Sequence, residues 1–173
     1  MQPSDMTKLA IHPVTTSEDI HSTAELANEI WTEHYVPIIG KEQTRYMIET
    51  FQSAAAICNQ IEKENYQYYL LKSGSANAGY ISIRPEPENH TMFLSKFYVE
   101  KNFRGRGFSR TALQFIEEIC RREGLTTIYL TVNKQNYSSL SVYEKLRFVR
   151  ARELVTDIGN GYAMDDYVME KYL

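Results

Sequence analysis

The chain has 173 residues, a hydrophobic fraction of 43% and a formal net charge of −3. We expect a single domain spanning residues 1–173, and the mildly acidic charge argues against nucleic acid or an anionic membrane as a partner. The two cysteines do not have a metal-binding spacing, so we predict that the protein has no metal. No apolar stretch resembles a signal peptide or a membrane span, so we predict a cytoplasmic protein.

The N-terminal third of the chain is predicted to be mainly helical. A short strand is predicted at residues 9–14. Hydroxyl and acidic residues then mark a helix start, and apolar residues at helical spacing predict a helix over residues 17–33. Pro37 and Gly40 are expected to interrupt this helix, and a second helix is predicted over residues 41–63.

The remainder of the chain predicts six strands and two further helices. Three strand-like runs separated by turn-forming residues indicate an antiparallel meander, and helices then alternate with strands. The predicted strands cover residues 66–72, 78–83, 91–99, 126–132, 148–156 and 162–172, and the predicted helices cover residues 108–122 and 136–146. The sequence therefore predicts an α/β fold in which helices flank a mixed, mostly antiparallel sheet.

The junction between the third of these strands and the following helix carries an unusual segment, Arg104-Gly105-Arg106-Gly107-Phe108-Ser109. Its glycines permit a tight turn, and the start of the helix presents unpaired N–H groups and the positive end of the helix dipole. The two arginines add positive charge with a geometry that suits phosphate oxygens. A turn that binds nothing can have the same residues, but the combination predicts a pyrophosphate-binding site.

Two motifs make the sequence resemble the GNAT superfamily of acyl-CoA-dependent N-acetyltransferases. The phosphate loop of that family follows Arg/Gln-x-x-Gly-x-Gly/Ala, and its defined positions are occupied here by Arg104, Gly107 and Ser109. A second family signature places an Asn before a helix that carries a Tyr and ends in Leu-Gly-Phe, and it is matched by Asn136, Tyr143 and Leu146-Arg147-Phe148. The resemblance covers residues 91–155 well, and the predicted order of elements extends it to most of the chain.

The resemblance implies a sheet that splays apart beside the loop and holds acetyl-CoA, the co-substrate, in the gap. Backbone groups of Phe97 and Val99, with Tyr98 between them, would pair with the pantetheine arm. The amides of residues 104–109 would hold the pyrophosphate, and Asn136 would contact the pantetheine region.

The resemblance also implies that Tyr143 lies near the sulfur and protonates the departing thiolate. It does not identify a general base, because the strand at residues 91–99 contains no carboxylate. Glu33, His34 and His90 are candidates only by proximity to loops that would border the site. A water chain to a remote carboxylate, or no dedicated base, are the alternatives.

Two residues depart from the family pattern. Ser109 replaces a Gly or Ala of the phosphate loop, and its hydroxyl could either cap the helix or bind phosphate. Arg147 replaces the Gly of the second signature. If that position requires a positive φ, the arginine costs about 1 kcal/mol or more of backbone strain.

The acceptor pocket is expected between the N-terminal helices and the last strands. Trp31, Tyr35 and Tyr46 would supply aromatic surface, although aromatic residues at helical spacing are equally expected in a core. Negative charge nearby would come from Glu33, Glu42, Glu49, Asp165 and Asp166. Such a lining suits a cationic amine, for example a polyamine, an aminoglycoside or a protein N-terminus.

We therefore predict an N-acetyltransferase that transfers the acetyl group of acetyl-CoA to a primary amine by direct attack in a ternary complex. A homodimer through the C-terminal strands is expected by analogy with the family. The first alternative is a non-catalytic sensor that binds acyl-CoA. The second is a nucleotide-binding protein, but no Walker-type glycine pattern with Lys-Ser/Thr is present.

Overall fold

The computed structural model describes residues 8–173, which form a seven-stranded sheet flanked by five α-helices. The strands are β1 (Leu9–Pro13), β2 (Gln67–Ser73), β3 (Ala76–Glu86), β4 (Thr91–Val99), β5 (Thr127–Asn133), β6 (Val149–Gly159) and β7 (Tyr162–Tyr172). The helices are α1 (Ser17–Ile39), α2 (Lys41–Phe51), α3 (Ala54–Lys63), α4 (Phe108–Glu123) and α5 (Tyr137–Lys145). This architecture confirms the predicted fold class.

The strands lie in the order β1-β2-β3-β4-β5-β7-β6 across the sheet. β2 to β4 form the predicted antiparallel meander, and β1 adds a further antiparallel strand beside β2. β4 pairs with β5 in parallel, and β5, β7 and β6 are antiparallel. Buried side chains form one cluster with α4 and α5, which includes Ile116 and Leu140, and another with α1 to α3, which includes Trp31 and Ile57. Within residues 8–173, no helix has the length and apolar character needed to cross a membrane.

Helix α1 continues beyond its predicted end, and the expectation that Pro37 interrupts it is wrong. The helix starts as expected, because the Thr16 hydroxyl accepts a hydrogen bond from the Asp19 amide at 3.1 Å and the Asp19 carboxylate accepts one from the Thr16 amide. Trp31 and Tyr35 are buried on one side of α1, and this packing stabilises its last turns through the proline.

The helix predicted over residues 41–63 is instead two helices, α2 and α3. Ser53 breaks it by capping α3, where its hydroxyl accepts a hydrogen bond from the Ala56 amide at 3.2 Å. The preceding Gln52 is buried, and its side chain bonds to the hydroxyls of Tyr68 and Tyr80. The break therefore depends on contacts with β2 and β3, which the local sequence does not reveal.

The other predicted elements are confirmed, with shifted ends. β3 extends over Ala76–Glu86 and so exceeds the predicted residues 78–83 at both ends, because residues 76–77 pair with β2 and residues 84–86 pair with β4. β6 continues to Gly159 because it pairs with β7 up to the connecting turn.

Arg147 follows α5 with φ of 73°, so the position does require the left-handed conformation. We expect Arg147→Gly to raise the free energy of unfolding by about 0.5–1 kcal/mol in urea titrations, because glycine adopts this conformation without the Cβ penalty. The matched control is Lys145→Gly in the last turn of α5, which should lower it by a similar amount. A loss of stability in Arg147→Gly would contradict the assignment of strain.

Candidate active site

A gap in the sheet, between β4 and β5, forms the site. β4 pairs with β5 only over residues 91–93, and residues 94–99 have no partner on β5. A β-bulge opposite Ser82 and Ile83 bends β4 where the two strands separate. A cavity of about 370 Å³ occupies the gap, lined by β4, the glycine loop, α4 and α5. The predicted splayed sheet is confirmed.

The glycine loop has the geometry of an anion-binding turn. Gly105 and Gly107 have φ of 78° and 79°, and both line the cavity. Gly107 is the N-cap of α4 but supplies no side-chain hydrogen bond, so the first amides of α4 lack a capping partner. Phe108 and Ser109, which follow it, also line the cavity. These unshielded amides at the positive end of α4 fit a pyrophosphate group.

The two arginines of the loop are held in different ways. Arg104 lines the cavity, donates from Nε to the Val99 carbonyl at 2.9 Å, and pairs with Glu33 at 3.0 Å. The guanidinium of Arg106 lies 5.1 Å from the Phe103 ring centroid and is not among the residues that line the cavity. A third cation, Arg110 in the first turn of α4, does line the cavity and was missed from the sequence.

Tyr143 faces β4 from α5 and lines the same cavity. Its ring stacks on Phe97 with 6.1 Å between centroids and 14° between planes, so the two rings connect α5 and β4 across the gap. Burial, and then the nearby phenol of Tyr35, raises the pKa of Tyr143, while an interaction with Ser139 opposes the shift. The phenol is therefore protonated at physiological pH and is able to donate its proton.

Asn136 caps α5 and bonds to α1. Its side-chain oxygen accepts a hydrogen bond from the Ser139 amide at 3.3 Å and lies 3.1 Å from Nε2 of His34. Burial lowers the pKa of His34, partly offset by the bond to Asn136. His34 lines the cavity, whereas Asn136, which is 3% exposed, borders a second cavity beside it that His34 and Arg104 also line. His90 lies in the exposed turn before β4.

The aromatic residues predicted for the acceptor pocket are mainly packed. Trp31 is buried and donates from Nε1 to the Tyr80 hydroxyl at 2.9 Å. Tyr35 is buried, and its hydroxyl lies 2.9 Å from that of Tyr98, which lines the cavity. Tyr46 donates to the carbonyl of Ile158. None of the three lines the cavity. Trp31 and Tyr35 are buried in the α1–α3 cluster, and Tyr46 packs against it while partly exposed.

Lys96 is a further charged residue on the α1 side of β4, and no sequence motif identifies it as a site residue. Its ammonium donates to the carbonyl and hydroxyl oxygens of Ser95 and lies 6.0 Å from the Trp31 ring centroid. Burial lowers the pKa of Lys96 to about 8.

In the part of the chain that the structure describes, no group of three or more His, Cys, Asp or Glu side chains could hold a metal ion.

Comparison with known proteins agrees with this architecture. The sequence model of the acetyltransferase (GNAT) family matches residues 23–148. Spermidine N(1)-acetyltransferase from Thermoplasma acidophilum is 23% identical over 163 residues, covering 89% of this chain and 91% of that protein.

Two solved structures share the fold. PaiA N-acetyltransferase from T. acidophilum in complex with coenzyme A superposes with a TM-score of 0.80, at 22% identity and over 96% of this chain and 99% of that one. Spermidine N-acetyltransferase from Vibrio cholerae in complex with CoA and spermine gives a TM-score of 0.66, at 18% identity and over 96% of each chain.

The fold, the split sheet and the family match define an acyltransferase of the GNAT type, and the chain belongs to the acetyltransferase (GNAT) family. It is an acetyl-CoA-dependent N-acetyltransferase, with acetyl-CoA as its co-substrate.

Proposed function

We propose that this N-acetyltransferase acetylates a primary amine of a polyamine, by direct attack in a ternary complex. The observation that carries this proposal is the cavity between β4 and α5, where the glycine loop and Tyr143 border the same space. The sequence relative from T. acidophilum, named as a spermidine acetyltransferase, supports the polyamine class. Aminoglycosides and protein N-termini are the competing acceptors, and a non-catalytic acyl-CoA sensor is the competing function.

The residues that would hold acetyl-CoA come from β4 and the glycine loop. Amides of residues 105–109 would bind the pyrophosphate, and the unpaired edge of β4 at Phe97, Tyr98 and Val99 would flank the pantetheine arm. Arg104 and Arg106 would add positive charge, with Arg104 shared between Glu33 and the phosphate. Asn136 would contribute mainly by fixing the start of α5 beside the cavity.

Tyr143 would act as the proton donor. Bound acetyl-CoA supplies an activated thioester carbonyl, and the leaving sulfur requires a proton as it departs. The Tyr143 phenol is protonated at neutral pH and faces β4 across the gap, as a general acid at this place requires. An unpaired backbone N–H of residues 94–99 would stabilise the negative charge that develops on the carbonyl oxygen.

Arg110 is expected to contribute to acetyl-CoA affinity. A cation in the first turn of a helix opposes the helix dipole, and a bound anion compensates for this cost. We expect Arg110→Ala to weaken acetyl-CoA binding by about 10- to 100-fold in calorimetric titrations, the range of a charge-assisted hydrogen bond. Arg122→Ala, at the other end of α4, is the matched control and should bind as the unmodified chain does. Equal affinities for both variants would remove Arg110 from the site.

The proposed function is tested by binding and then by turnover. Calorimetry with acetyl-CoA, CoA and ATP should give one-to-one binding of the first two and none of ATP. Thiol release should then be measured with spermidine, spermine, an aminoglycoside and a peptide with a free N-terminus. Polyamine-dependent release supports the proposal. Release with only another amine would reassign the acceptor, and acetyl-CoA binding without turnover of any amine would favour the sensor.

A homodimer and a cytoplasmic location also stay predictions. β6 forms the outer edge of the sheet, and Leu154 and Val155 on it are 39% and 68% exposed, which supports self-association through the C-terminal strands. Sedimentation at several protein concentrations would measure the oligomeric state. A monomer at all concentrations would contradict the dimer.

A further inference from the structure

Two adjacent aspartates on β7 have opposite environments. The Asp165 side chain is 59% exposed and forms an ion pair with Lys134 at 2.9 Å. Asp166 is only 7% exposed as a residue, and its Oδ1 has no hydrogen-bond partner within residues 8–173. Lys96, a charged residue on the α1 side of β4, donates its hydrogen bonds to Ser95. Asp166 is therefore a buried carboxylate with an unsatisfied oxygen.

Such a group is costly unless it binds something. A buried polar atom without a partner costs free energy, and a buried charge without a counter-charge costs more. Burial raises the pKa of Asp166 to about 6, with a further rise from Asp165 and an opposing effect of Lys134. The carboxylate is still mainly ionised at pH 7, so the structure holds an unpaired negative charge there.

Asp166 lies on β7, the neighbour of β5, level with the part of the sheet where β4 and β5 have separated. It stands opposite Asn133, the last residue of β5, and β5 has already separated from β4 at this level. Met164, two residues earlier on the same face of β7, packs against the α1–α3 cluster. The Asp166 side chain is therefore on the α1 side, opposite the face that α4 and α5 cover.

The charge of Asp166 acts on a phenol that is itself next to a residue of the cavity wall. Burial raises the pKa of Tyr35 to about 12, and the hydrogen bond to Tyr98 opposes this rise. The negative charge of Asp166 adds to the rise, so this carboxylate is near enough to act on the Tyr35 phenol. The Tyr35 hydroxyl lies 2.9 Å from that of Tyr98, and Tyr98 lines the cavity. Because α4, α5 and the glycine loop occupy the other side, the acceptor would approach from the α1 side, where His34 of α1 borders the cavity.

We propose that Asp166 binds an ammonium group of the acceptor and thereby selects a cationic substrate. Asp165 does not share this role, because Lys134 already neutralises it and its side chain points to solvent. The inference rests on the proposed function and adds to it the residue that recognises the acceptor. The ammonium supplies both the positive charge and the hydrogen-bond donors that Asp166 lacks.

The experiment compares Asp166→Asn with Asp165→Asn. Spermidine is titrated into each variant saturated with CoA, and acetyl-CoA affinity and urea unfolding are measured in parallel. We expect Asp166→Asn to weaken spermidine binding by about 10- to 100-fold, with acetyl-CoA affinity unchanged and stability equal or higher. Asp165→Asn should bind spermidine as the unmodified chain does.

The outcomes separate this inference from the proposed function. The role of Asp166 is overturned if Asp166→Asn binds spermidine as tightly as the unmodified chain does. It is also overturned if this variant loses acetyl-CoA affinity and stability in parallel, or if the unmodified chain does not bind spermidine. If Asp166→Asn alone weakens spermidine binding but the unmodified chain releases no thiol with polyamines, the role of Asp166 stands and the proposed transfer fails.

Discussion

Replacing Tyr143 with phenylalanine is expected to lower kcat by about 10²- to 10⁴-fold, the range for loss of a general acid. The affinity for acetyl-CoA should change by less than about twofold, because phenylalanine retains the stacking on Phe97 that connects α5 to β4. The loss should persist from pH 6 to 9, since burial raises the pKa of Tyr143 and keeps the phenol protonated across this range. Thiol release and calorimetry on the same preparations measure both quantities.

The matched control for this substitution lies on the same helix. Tyr137 begins α5 and is 74% exposed, so Tyr137→Phe removes a phenol hydroxyl without affecting the cavity. It should leave kcat unchanged. Turnover of Tyr143→Phe equal to that of the unmodified chain at every pH would eliminate Tyr143 as the proton donor.

Replacing Gly79 with alanine is expected to lower the free energy of unfolding by about 2–3 kcal/mol, the upper part of the range for overpacking a core. A Cβ at this position would clash with the Tyr98 carbonyl oxygen and would lie 3.1 Å from the Val99 Cα. Both neighbours are backbone atoms, so β3 and β4 would have to move apart. Because Tyr98 and Val99 line the cavity, acetyl-CoA affinity should fall as well.

Gly74→Ala separates this clash from the general effects of replacing glycine. Gly74 is in the β2–β3 turn with φ of 62°, and no atom lies within 4 Å of a Cβ placed there. It should cost about 1–2 kcal/mol through backbone strain alone and leave acetyl-CoA affinity unchanged. Urea titrations and calorimetry of both variants measure the two effects. If the Gly79→Ala variant has the same free energy of unfolding as the unmodified chain, then β3 and β4 can separate without loss of stability, which would contradict the predicted clash.

Much of the fold and of the cofactor side of the site was predictable because it depends on local sequence. Turn chemistry and apolar periodicity specify the strands and helices, and the glycines at 105 and 107 mark left-handed positions before α4. The second signature also marked Arg147 as a position where a positive φ was an open question, and the structure has φ of 73° there. The exceptions, Pro37 inside α1 and the break at Ser53, occur where burial or hydrogen bonds to distant strands outweigh local preference.

By itself, the sequence determined the class of protein, since both signatures are contiguous segments whose backbone geometry is local. The tertiary structure decided which charges are available. Strand alternation places Asp165 and Asp166 on opposite faces of β7, but only the packed structure pairs one with Lys134 and leaves the other buried with an unsatisfied oxygen. It likewise placed Arg110 at the cavity and Trp31 in the core. Burial and ion pairing depend on residues far apart in the chain, so no local pattern encodes them.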